Sequence, residues 1–106
     1  MTGIRLAVPD TAERNEVIEI KALIQHEMES GFRRGSRGEA IPRDIITEFE
    51  CIYNSERVFS ADFHPAIAAN PILTFHMIAD ESGTLVFRWR DQNGETWSEE
   101  ASITVT

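Results

Sequence analysis

Apolar and polar residues alternate with a period of two over several stretches of the chain. Ile18, Ile20, Ala22 and Ile24 share one parity within residues 16–24, with Glu16, Glu19 and Lys21 among their neighbours. Phe49, Cys51 and Tyr53 alternate with Glu48, Glu50 and Ile52. Leu73, Phe75, Met77 and Ala79 alternate with Thr74, His76 and Ile78. Leu85, Phe87 and Trp89 alternate with Val86, Arg88 and Arg90, and Ala101, Ile103 and Val105 with Ser102 and Thr104. Side chains on a strand point alternately to opposite faces, so each run predicts a strand with one face in a core. Short strands near Ile4–Val8 and Arg57–Ala61 bring the count to about seven.

The turn residues agree. Asn93-Gly94 lies between two alternating runs and predicts a hairpin, because both residues tolerate positive φ. Asn54-Ser55 separates two further runs, and Gly83 is expected to break the chain before the Leu85 strand. Residues 65–69 are too few for more than a helical turn, and Pro71 ends them. The expected fold is one all-β domain: an immunoglobulin-like antiparallel sandwich of about seven strands. Ile18, Ile20, Phe49, Cys51, Phe75, Phe87, Trp89 and Ile103 are its expected core.

Charge narrows the partners. Ten Lys plus Arg stand against eighteen Asp plus Glu, a formal charge of -8 over 106 residues. Such a surface suits neither nucleic acid nor an anionic membrane. No run approaches the ~20 apolar residues of a membrane span. Met1 to Asp10 lacks the apolar stretch and cleavage site of a secretory signal, which on its own points to the cytoplasm.

Candidate chemistry is sparse. Cys51 is the only cysteine, so no intramolecular disulfide forms. Its alternation with Phe49 and Tyr53 points it inward, where a thiol is a small inert hydrophobe. His26, His64 and His76 share no ligand spacing and read as surface or turn residues; no metal or cofactor is expected. Glu48 and Glu50, like Glu99 and Glu100, suit a solvated strand face better than a catalytic pair in a cleft.

Two irregular segments stand out. His26 to Asp44 carries Gly31, Gly35, Gly38 and Pro42 with Arg33, Arg34, Arg37 and Arg43. A connection this long is often functional, and Arg33, Arg34 and Arg37 could cradle an anion or simply be solvated. Phe59 to Pro71 is apolar for a connection. It either closes one end of the sandwich, with Phe63 and Ile67 capping the core, or docks a partner through Phe63, His64, Pro65, Ile67 and Asn70.

Phe59 to Pro71 also resembles the characteristic motif of the SoxZ family, except that Phe63 stands where that family carries Trp. The similarity extends through Glu16–Lys21, His26–Gly31, Ile41-Pro42-Arg43, Phe49 with Cys51, Glu81–Thr84 and the Trp89 strand. Glu27 departs from it, standing where Pro is usual. The resemblance implies an immunoglobulin-like sandwich without catalytic groups of its own. It implies a heterodimer with SoxY, whose C-terminal cysteine carries covalent sulfur intermediates of thiosulfate oxidation between the pathway enzymes. It implies transient contact with those other Sox enzymes. It implies the periplasm, with export on the signal of SoxY. The competing reading is a small thiol-dependent sulfur transferase using Cys51, which would require that thiol to be exposed and electropositive.

Overall fold

The computed structural model describes residues 3–64, 67 and 69–106. All its regular elements are strands: β1 Ile4–Ala7, β2 Thr11–Ala12, β3 Glu16–Ile24, β4 Ile46–Tyr53, β5 Glu56–Asp62, β6 Ile72–Ala79, β7 Gly83–Asp91 and β8 Thr96–Val105. They form a three-stranded sheet in the order β1-β3-β6 and a five-stranded sheet in the order β2-β8-β7-β4-β5. The immunoglobulin-like sandwich expected from the alternation is therefore what forms.

The strand beyond the expected seven is β2. It has two residues and pairs parallel with β8, Thr11 against Thr104 and Ala12 against Val105. Two residues cannot show a period, so only the tertiary pairing defines it. Strand β8 begins at Thr96, earlier than the Ala101–Val105 alternation suggested, because Thr96 to Glu100 are held by the β7 ladder through Trp89↔Trp97 and Phe87↔Glu99.

The core lies where the two inner faces meet, and all eight expected residues are buried in it. Phe49 is central, with ring centroids 5.0 Å from Trp89, 6.2 Å from Phe75 and 6.3 Å from Phe87. Phe59 of β5 stacks on Phe75 of β6 at 4.2 Å, fastening the two sheets along one side. Such aromatic pairs add roughly 0.5–1.5 kcal/mol each beyond area burial. The Trp89 indole Nε1 is buried without a hydrogen-bond partner among the described residues.

Local chemistry decides the turns. Asn54 and Ser55 both adopt positive φ, 48° and 71°, making the mirror-type turn that matches strand twist. The Asn54 carboxamide then reaches the β7 entry, where Oδ1 accepts from the Thr84 N–H at 3.0 Å. Gly83 opens β7, paired with Ile103, and does not precede it, and a Cβ there would overlap that carboxamide. At the β7–β8 turn only Gly94 is left-handed, at φ 84°, and the Asp91 N–H donates to the Glu95 carbonyl at 2.9 Å. The connection is thus longer than a two-residue hairpin. The buried Asp91 carboxylate causes this by accepting from the Asn93 and Glu95 amides at 2.9 and 2.8 Å.

Candidate functional site

The segment between β3 and β4 is an ordered finger and not a slack loop. Glu29 and Asp44 exchange backbone hydrogen bonds at 2.8 Å each, and Arg34 bridges Ala40 nearer the tip. Gln92 ties the finger's base to the β7–β8 turn. Its carboxamide accepts from Arg43 Nε at 3.0 Å and donates to the Arg43 carbonyl at 2.8 Å. Met28, φ 53°, is buried at the root, and its sulfur accepts from the Ile46 N–H at 3.3 Å.

The arginines of the finger are not equivalent. Arg33 pairs with Glu29, and the hydrogen bond from its guanidinium lowers the Glu29 carboxyl below its ordinary pKa while raising its own. Arg34 and Arg37 are exposed and make no ion pair among the described residues. Phe32 beside them is 84% exposed. Sequence reasoning passed over Phe32, because a single aromatic outside an alternating run carries no periodic signal.

The Phe63–Pro71 segment lies against the same end of the molecule. Phe63 is buried and Ile67 half-buried against the core, so both cap the sandwich. His64 and Asn70 are exposed. Pro65 lies outside the described residues. Asn70, φ 52°, binds the backbone of His26 at the root of the finger, and so joins the two irregular segments.

A cleft of about 350 Å³ opens beside that junction, lined by His26, Glu27, Asp44, Glu95 and Trp97 among others. His26 Nδ1 accepts from the Met28 N–H at 3.0 Å, and Nε2 lies 3.7 Å from Asp44 Oδ1. Its ring stands edge-on to Trp97, 5.9 Å away. His76 is far along the outer face of the three-stranded sheet, 3.6 Å from Glu19. Among the described residues no three of His, Cys, Asp and Glu converge as metal ligands would.

Glu48 and Glu50 line a shallow depression of about 460 Å³ on the outer face of the five-stranded sheet. Each is taken by an arginine one strand away: Arg90 pairs with Glu48, and Arg88 with Glu50 at 2.8 Å. These are cross-strand pairs on a solvated face. Cys51 is fully buried, and that burial pushes its thiol up to about 12. A thiol so placed is protonated at neutral pH and shielded from a sulfur donor, the reverse of what a transferase nucleophile needs.

The fold is shared with proteins of different activity. A superoxide reductase (neelaredoxin) from Ignicoccus hospitalis superposes with a TM-score of 0.75 at 16% identity, covering 97% of this chain and 80% of that one. The sulfur carrier protein SoxY from Chlorobium limicola f thiosulfatophilum superposes with a TM-score of 0.68 at 17% identity, covering 97% and 78%. At such identities the likeness concerns the sandwich alone. No curated protein sequence matches the chain. The sequence profile of the sulphur oxidation protein SoxZ matches residues 4–102. That span runs from the first strand into the last and takes in the finger and the Phe63–Pro71 segment, and on it the chain belongs to the SoxZ family.

Proposed function

We propose that this chain is the non-catalytic subunit of a sulfur-carrier heterodimer, bound to a SoxY-type partner whose cysteine carries the sulfur intermediates of thiosulfate oxidation. The family match over residues 4–102 carries this reading. The burial of Cys51 supports it, since the only thiol of the chain sits in the core with a raised pKa. The carrier thiol then belongs to the partner, and this subunit contributes a rigid surface. The working compartment is the periplasm, reached with a signal-bearing partner. The finger, through Arg34 and Arg37, and the adjoining His64, Ile67 and Asn70 contact the partner or the pathway enzymes, because rigid sandwiches commonly bind through loops at one end. Co-expression with a SoxY-type chain tests this. The two should co-purify, and mass spectrometry after thiosulfate turnover should find sulfur adducts only on the partner. An adduct on Cys51 of the native protein would favour the transferase reading instead.

A further inference from the structure

The sandwich has four sheet edges, and three of them are blunted. Strand β1 has four residues with Arg5 among them, and β2 has two, so most of that second edge is β8 itself, which carries Glu99 and Glu100. Strand β5 carries Glu56, Arg57 and Asp62, and its pairing with β4 is interrupted by a register shift at Cys51/Ile52. Short strands, charges and bulges are the usual devices against edge-to-edge association. Strand β6 has none of them. It runs eight residues, Ile-Leu-Thr-Phe-His-Met-Ile-Ala, with no Asp, Glu, Lys or Arg and no bulge in its ladder with β3.

The parity of that ladder shows which groups the edge presents. The Ile24 N–H donates to the Pro71 carbonyl at 3.3 Å, which makes Ile24 and Pro71 a hydrogen-bonded pair. Pairs then alternate. Leu73, Phe75 and Met77 bond to β3, while the N–H and C=O groups of Ile72, Thr74, His76 and Ile78 point away from it. The same four side chains face outward, and Ile72 and Ile78 are each 58% exposed beside Val17 at 62%.

We propose that this edge pairs with the β6 edge of a second copy of the chain, antiparallel, about a two-fold axis at Phe75. Setting Ile72 against the partner's Ile78 and Thr74 against the partner's His76 brings every outward group opposite another. About eight inter-strand hydrogen bonds result. Because Val17 pairs with Ile78 and Leu23 with Ile72 within one copy, the outer face gains an apolar row: Val17, Ile78, the partner's Ile72, the partner's Leu23. The next row reads Glu19, His76, the partner's Thr74, the partner's Lys21, with acid at one end and base at the other. No like charges face each other across the seam. Registers displaced from this one lose both the isoleucine match and part of the ladder. The proposal stands whether or not the SoxY-type reading does.

Sedimentation equilibrium of the isolated folded chain tests it. A monomer–dimer equilibrium is expected, strengthened by salt because each copy carries a formal charge of -8. Thr74→Pro removes an outward N–H without touching the β3 ladder, and such a proline is tolerated on an edge strand. It should abolish the dimer while the far-ultraviolet circular dichroism stays that of the parent. Ile72→Lys with Ile78→Lys leaves the backbone untouched and should do the same if the proline variant fails to fold. A chain that stays monomeric at about 1 mM, where even weak association registers, overturns the proposal. So does a dimer that survives both changes, or β6 amides protected from exchange only when a SoxY-type subunit is added.

Discussion

Asn70 and His26 hold each other by two reciprocal hydrogen bonds across 44 positions of sequence. The His26 N–H donates to Asn70 Oδ1 at 2.9 Å, and the Asn70 N–H donates to the His26 carbonyl at 2.7 Å. The pair fixes the root of the finger to the segment entering β6. Asparagine suits the position twice, since it tolerates φ 52° and supplies the acceptor.

Two substitutions separate these contributions. Asn70→Gly keeps the backbone conformation and loses the acceptor, for about 1 kcal/mol. Asn70→Ala loses the acceptor and adds left-handed strain, for about 1–3 kcal/mol more. Urea unfolding should rank the parent above glycine and glycine above alanine. Equal stability of glycine and alanine variants would show that the backbone conformation contributes nothing.

The strands were legible because burial on one face of a sheet imposes a period of two, and every predicted core residue from Ile18 to Ile103 obeys it. What the period could not show lies off the ladders. Met28 and Phe63 are buried by segments with no repeating pattern. Asp91 is a buried carboxylate whose two amide donors come from the turn that it organises. The finger reads as solvated loop in sequence because the bridges that order it join Glu29 to Asp44 and Arg34 to Ala40 without any repeating pattern, and its base is tied by Gln92, 49 positions from Arg43. Arg33, Arg34 and Arg37 are alike in sequence, and the Glu29 contact that sets Arg33 apart exists only once the finger is folded. His26 and Trp97, far apart in sequence, likewise meet only in the folded chain.

Trp89 gives a prediction of unusual sign. Its Nε1–H is buried with no partner among the described residues, a penalty of roughly 1–3 kcal/mol. Trp89→Phe removes that donor and also some packing volume against Phe49. The two effects oppose, so the net change in unfolding free energy should lie within about 1 kcal/mol of zero, while Trp89→Ala should cost about 3–5 kcal/mol. A Trp89→Phe loss as large as that of alanine would mean that the donor is satisfied in solution.

Cys51 links burial to pH. Its thiol ordinarily titrates near 9, and burial raises it to about 12 in the folded chain. The unfolded state therefore loses this proton first as pH rises. The contribution is complete below about 9 and is lost as pH climbs from there through the folded value. Stability of the parent should fall over that window more steeply than that of Cys51→Ala. At pH 8 a thiol-reactive disulfide reagent should leave the native chain untouched and react fully in denaturant. Rapid native labelling would place the thiol at the surface and revive the transferase reading.

The finger's arginines should divide by role. Arg33 is engaged by Glu29, so Arg33→Ser should loosen the finger without removing the exposed charges at its tip. Acidification should loosen it likewise, because the Glu29 carboxylate is held below its ordinary pKa and its contribution disappears as pH falls through that lowered value. Arg34 and Arg37 have no ion pair among the described residues, and Arg34→Ser with Arg37→Ser should leave folding as in the parent. On a chain of formal charge -8 they form a local positive patch suited to an acidic partner surface or an anionic sulfur group. The double variant should slow association with the SoxY-type partner or a pathway enzyme, and the gap between parent and variant should shrink as salt screens the attraction. Ile67→Asp probes the adjoining segment, but Ile67 is half-buried against the core, so its binding loss counts only if thermal unfolding matches the parent. Association rates measured at low and high salt decide the matter. Parent-like rates for the double variant at both would leave the finger as a structural closure and move recognition to a sheet face.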